Sequence, residues 1–240
     1  FQLFTPFSEF IPEFRNLQVF KEEDPETGAW VTEKPNHPVT IHELLTHTSG
    51  LTYGLQAVHH PVARRYNEMQ LEGDALPLDQ VVEKILEQPL AFQPGSHWHY
   101  SVSTDVLARV VEIISGKSID QFLQQRLFDP LGMKDTGYFL PKEKHGRLSE
   151  IYCIANWFDQ GNTPEDLEQQ WREGAVASRL VSGETHRCLE PHLAFRGGHG
   201  LVSTAGDYLN FCRMLIQRGQ WEREHLMAPK TVELMTMNHI

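Results

Sequence analysis

The stretch FQPGSHWHYSVSTDVLARVVEIISGKS, residues 92–118, changes character half-way along. It opens on a turn-former, Pro94-Gly95, and then sets aromatic rings among hydroxyls: His97, Trp98, His99, Tyr100, Ser101 and Ser103. Beyond that come Val106, Leu107, Val110, Val111 and Ile114, an i, i+1, i+4, i+5, i+8 stripe that winds along one face of an α-helix. Gly116 follows as its C-terminal cap. The pattern predicts an amphipathic helix that belongs in a core, with a tyrosine held at its mouth. For Tyr100 itself, the residues alone leave packing and chemistry both open.

Outward from this helix, other helix entries are well marked. Thr40 with Glu43, Ser118 with Gln121 and Thr204 with Asp207 each have the spacing of a capping box, in which the first side chain and the residue three later satisfy each other's backbone N–H. Thr163 followed by Pro164, Glu165 and Asp166 predicts a polar surface helix over 163–173. HTSGL (47–51) reads as a helix end turning on Gly50, and DPLGM (129–133) as a turn after a helix. Strand signals are few: LQVF at 17–20 and LVS at 201–203. From about 142 to 196 the chain turns polar and irregular, as in a functional loop or a variable insertion.

Composition excludes several classes. With 240 residues, 40% of them hydrophobic, the chain has enough apolar mass for a core. Its 21 Lys and Arg against 32 Asp and Glu give a formal charge of −11, which repels nucleic-acid phosphates and anionic membrane surfaces. No apolar run nears the roughly 18–20 residues a bilayer crossing needs, so a soluble chain is expected. Cys153, Cys188 and Cys212 form neither a CxxC motif nor an even set, which points to a reducing, cytoplasmic compartment. HELLTH (42–47) fails as a zinc motif because the residue four after His42 is Thr46, and the loop neighbours His59-His60 and His97-x-His99 do not converge on an ion without outside ligands. No metal and no organic cofactor is expected. No serine stands in GxSxG, and GGHG (197–200) lacks the Lys-Ser or Lys-Thr tail of a phosphate loop. Its glycines more plainly let the backbone pass close to a neighbour.

Four stretches together resemble the serine β-lactamase superfamily, in its class C and family VIII carboxylesterase branch. They are PVTIHELLTHTSGLTYG (38–54), the 92–139 segment through DPLGMKDTGYF, GGHGLVSTAGDYLNFCRMLI (197–216) and MAPKTVELMTMNH (227–239). The resemblance implies an α+β fold of the β-lactamase/transpeptidase type, a helical region inserted in an antiparallel sheet flanked by helices. Residues 1–240 would be part of one such catalytic domain, incomplete at both ends, with 40–195 mainly its helical region, so that this chain is mostly helices and loops.

The same resemblance makes Tyr100 the general base and acid, because it falls on the tyrosine of the family's Tyr-Ser-x or Tyr-x-Asn motif. A phenol with a pKa near ~10 is a poor base at neutral pH, but a neighbouring lysine ammonium favours its anion. Ser101, Val102, Gly198 and His199 are the accompanying substrate-cleft candidates. Val102 stands where lactamase-like members often carry Asn, which favours simple esters over lactams. The implied function is a serine carboxylesterase of small esters working through an acyl-serine, with weak β-lactam hydrolysis beside it. A non-catalytic scaffold and a D-amino-acid peptidase are the alternatives. The nucleophile of this family comes from Ser-x-x-Lys, and no serine of the sequence has lysine three residues on; Ser8 is followed by Ile11, Ser49 by Thr52, Ser101 by Thr104. Both ends therefore read as cut, with that motif expected upstream of Phe1. Small-molecule esters or lactams are the expected partners, not nucleic acid or membrane, and the sequence sets no oligomeric state.

Overall fold

The computed structural model describes residues 2–54, 60–71, 76–154, 169, 172, 177–181 and 187–239. In chain order its elements are the strands β1 (Val19–Glu23) and β2 (Trp30–Glu33), then helices α1 (Ile41–Leu45), α2 (Pro61–Glu68), α3 (Leu78–Leu86), α4 (Ser103–Ser115), α5 (Ile119–Leu123) and α6 (Asp129–Leu131). There follow β3 (Ile151–Ile154), β4 (Ala177–Val181), α7 (Ala205–Ile216), β5 (Gln220–Trp221), β6 (Glu224–His225) and α8 (Pro229–Met235). The architecture is α+β, rich in helix, and among the described residues it has three two-stranded antiparallel ladders: β1–β2, β3–β4 and β5–β6. Contacts divide the chain into one unit of Phe1–Gly137 with His192–Ile240 and another of Tyr138–Pro191.

The predicted caps hold to different degrees. At α1 the box is complete: Thr40 Oγ1 accepts the Glu43 N–H at 3.3 Å, while the Glu43 carboxylate accepts the Thr40 N–H at 2.8 Å. At α7 only half forms. Thr204 Oγ1 accepts the Asp207 N–H, but the Asp207 carboxylate turns away to accept from the Asp135 N–H at 2.7 Å and the Thr136 hydroxyl at 2.9 Å. At α5 the Ser118 side chain makes no cap, and the Glu112 carboxylate of α4 takes the Ile119 N–H at 3.0 Å. Of the helix expected over 163–173, only Gln169 and Arg172 fall within the described residues, both helical.

The helix α4 occupies the centre of the first unit, packed against α1, α3 and α5. Val106 and Val110 are fully buried and Leu107 and Val111 pack half-buried against the same cluster, which includes Phe7, Leu44, Leu51, Tyr66, Val81, Ile85 and Leu90. Ile114 departs from the expected stripe. It is 53% exposed, since the last turn of α4 runs out beyond the packed helices to Gly116, whose left-handed φ of 67° ends it. A second cluster of Phe128, Leu131 and Met133 closes around Met214 of α7. In the unit of residues 138–191, Leu140 and Cys188 are buried, and the Leu140 N–H donates to the Cys188 carbonyl at 2.7 Å.

Of the two strand candidates, LQVF becomes the start of β1, while LVS reduces to a single bridge between Val202 and Gly137. The strand pairing that matters for the site is a short one. Leu90 sits beside β1, its N–H donating to the Gln18 carbonyl and its carbonyl accepting the Phe20 N–H, each at 2.8 Å. From there the chain runs along residues 47–52. Ala91 bonds to Gly50, Gly95 to Thr48 and His99 to His47, each N–H to carbonyl at 2.8 Å, and Val102 bonds to Thr52 at 3.2 Å. Gly50 permits this approach: with φ at 86°, a Cβ on it would lie 2.2 Å from the Phe92 carbonyl oxygen.

Candidate active site

Tyr100 enters this pairing three residues before the first residue of α4 and is half-buried. Its ring lies between two others. The His47 imidazole leans over it at 4.8 Å between centroids and 30° between planes, and the Tyr53 ring meets it edge-on at 5.7 Å. Trp98, 53% exposed, closes the far side of His47 at 6.4 Å and also lines an open cavity with Phe4, His42, Thr48 and Ser96. Offset and edge-on ring contacts of this kind hold a side chain in one rotamer without consuming its hydroxyl.

Behind the tyrosine runs a chain of buried hydroxyls. Ser101 Oγ lies 2.7 Å from Ser103 Oγ, which lies 2.9 Å from Ser49 Oγ, and Ser49 Oγ accepts the Leu51 N–H at 3.3 Å. Ser101 and Ser103 are 2% and 0% exposed, so these oxygens satisfy one another away from water. Ser101 also meets His47, donating its N–H to Nδ1 at 3.2 Å, with its Oγ 3.2 Å from the same nitrogen. An imidazole nitrogen that accepts an amide hydrogen carries none itself, so His47 holds its proton on Nε2.

Three imidazoles share this region, His47, His60 and His99. Burial is the first cause in each that holds them below the ordinary value of 6.5, and for His99 the neighbouring His97 and His47 add to it. His99 Nε2 lies 3.0 Å from Thr52 Oγ1, and the Phe92 ring touches His60, His97 and His99 edge-on or tilted. Low-dielectric packing disfavours the imidazolium, so the cluster is a neutral, aromatic one. Among the described residues no three His, Cys, Asp or Glu side chains converge as a metal site would require.

The other sequence candidates are placed as follows. Val102 is 1% exposed and its side chain joins the hydrophobic core, so it contributes packing beneath the tyrosine, not an apolar lining at the surface. Gly198 is exposed and His199 half-buried, on the segment that follows Phe195. That segment is tied to α4 by Asp105, a residue the sequence reading did not single out. The Asp105 carboxylate, 7% exposed, accepts the Gly197 N–H at 2.8 Å and the Gly198 N–H at 3.0 Å. Gly197 is pressed against Thr104, where a Cβ would lie 2.0 Å from the carbonyl oxygen. Two segments nearly a hundred residues apart are thus held at the same helix mouth.

Comparison with known proteins decides the family. The family model described as Beta-lactamase matches residues 3–237. The chain belongs to the beta-lactamase family. It is 30% identical over 210 residues to the lovastatin esterase of Penicillium rubens, covering 87% of this chain and 46% of that protein. It is 34% identical over 176 residues to the esterase EstB of Burkholderia gladioli, covering 71% of this chain and 43% of that protein. The unliganded simvastatin synthase LovD from Aspergillus terreus superposes with a TM-score of 0.72 at 24% identity, covering 100% of this chain and 52% of that one. The chain therefore spans about half the length of the proteins it matches. Within the beta-lactamase family, relatives at this level are named as esterases and, in Penicillium decumbens at 31% identity, as an acyltransferase, and this chain shares its fold with about half of the synthase.

Proposed function

We propose that the protein is an esterase-like serine hydrolase of small esters, with Tyr100 as its general base and acid. One observation supports the reading: Tyr100, which the resemblance assigns to the family's tyrosine, is a half-buried phenol held between two aromatic rings at the mouth of α4. The esterase names of the lovastatin and EstB relatives support esters as the substrate class. No serine among residues 1–240 stands in Ser-x-x-Lys, and the relatives are about twice as long, so the reading draws the nucleophile and its lysine from polypeptide outside these residues. In the reaction the serine hydroxyl adds to the ester carbonyl and gives its proton to the Tyr100 phenolate. Collapse of the tetrahedral adduct expels the alkoxide, which takes that proton back from Tyr100, leaving the acyl-serine. Water then adds with Tyr100 again accepting a proton, and collapse of the second adduct expels the serine oxygen, which takes that proton back from Tyr100 as the free acid leaves.

The test uses the full-length protein. Wild type is expected to hydrolyse p-nitrophenyl acetate and to be labelled by a fluorophosphonate probe, and Tyr100→Phe is expected to lower kcat by about 10²–10⁴-fold, the usual weight of a general acid–base group. A wild type that neither turns over esters nor labels, while remaining folded, overturns the reading in favour of a binding scaffold. A chromogenic cephalosporin run in parallel ranks lactam against ester.

A further inference from the structure

We propose that His47 is a positioning residue for Tyr100, setting the phenol from below through the Ser101 amide and from the side through its own ring. The inference rests on the esterase reading and adds a residue that HTSGL and HELLTH gave no reason to single out.

The first support is backbone conformation. His47 has φ at 56°, in the left-handed region, immediately after α1 and its cap residue Thr46. For a residue with a β-carbon this costs on the order of 1 kcal/mol, and it persists where the surrounding contacts over-determine it. Here three contacts do so, and all three lead to residues 99–101. The His47 carbonyl accepts the His99 N–H at 2.8 Å, while its Nδ1 accepts the Ser101 N–H at 3.2 Å and lies 3.2 Å from Ser101 Oγ. Tyr100 is the residue between those two anchored amides. Its backbone is therefore pinned on both sides by one residue.

The second support is the side chain. The imidazole overlies the phenol ring at 4.8 Å with a 30° tilt, so the residue that fixes the Tyr100 backbone also fixes its χ angles. The third is the protonation state. Nδ1 serves as acceptor only in the neutral ring, and burial holds His47 in that form. The hydroxyl chain Ser101–Ser103–Ser49 then backs the arrangement with groups that cannot shift without leaving a buried oxygen unpaired. A general base misplaced by about 1 Å loses on the order of 10²-fold in rate, so small displacements here have large kinetic effects.

The experiment is a set of variants in the full-length protein, assayed on p-nitrophenyl acetate for kcat and KM separately. His47→Gly relieves the left-handed strain but removes acceptor and ring; His47→Asn tolerates the same φ and keeps a side-chain acceptor for the Ser101 amide. His47→Gly is expected to lower kcat by about 10-fold or more with KM changed less than about 2-fold, and His47→Asn to recover kcat to within about 3-fold of wild type. In a Tyr100→Phe background neither substitution should lower kcat further, because a residue acting through Tyr100 has nothing left to act on. Wild-type kcat in His47→Gly, or equal additional losses with and without Tyr100, overturns the inference while leaving the esterase reading intact. An ester hydrolysis indifferent to Tyr100→Phe overturns both.

Discussion

At Gly50 a single hydrogen in place of a methyl group decides whether residues 47–52 can lie along 91–102. A Cβ there would stand 2.2 Å from the Phe92 carbonyl at a φ of 86°, so Gly50→Ala is expected to destabilise by about 3 kcal/mol, combining a backbone clash with the left-handed penalty. Chemical denaturation of the purified protein measures it. Asp105 works at the same scale by a different mechanism. Its carboxylate is the acceptor for two amides, at Gly197 and Gly198, and Asp105→Ala would leave both without it. The expected cost is about 2–3 kcal/mol, with faster amide hydrogen exchange at Gly197 and Gly198 as the local sign. Asp105→Asn, which keeps one carbonyl oxygen, should cost less. Neither Gly50 nor Asp105 announces its partner in the sequence, because each acts on a carbonyl or amide that only folding brings near.

Helix boundaries show how far local chemistry reaches. The spacing Thr40-x-x-Glu43 is read correctly because both partners lie within one turn and nothing else competes for their donors. The identical spacing at Ser118 makes no side-chain cap, and there Glu112 of α4 supplies an acceptor to the first helical amide, Ile119. Thr40→Ala should therefore lower stability by about 1 kcal/mol, whereas Ser118→Ala should change it by less than about 0.5 kcal/mol. Paired thermal melts separate the two. Strands were harder to read than helices for a related reason. Each ladder here has only two strands, of two to five residues, so its hydrogen bonds depend on a partner segment and not on a repeat in its own sequence. β2, with the pattern WVTE and one half-buried residue, carries no alternation to detect.

For the molecule as a whole, the neutral histidines tie stability to pH. His47, His60 and His99 all titrate below 6.5 when folded, with burial the leading cause, whereas unfolded they return to the ordinary value. Between the two values the unfolded chain binds more protons than the folded one. Their contribution is thus complete above about pH 6.5 and is lost as the pH falls from there through the lowered folded values. Thermal midpoints should drop between pH 7.5 and 5, and His60→Gln should flatten that drop. A midpoint indifferent to pH over this range would contradict the neutral cluster. The sequence by itself determined the central amphipathic helix, the α1 cap and, through its resemblance, the family, all of which rest on contacts within a turn or on motifs read in order. Only the tertiary structure decided that Val102 and Ser101 turn inward, that Asp105 holds Gly197 and Gly198, and that His47 leans on Tyr100. Those are contacts between segments about fifty to ninety residues apart in the chain, and no periodicity encodes them.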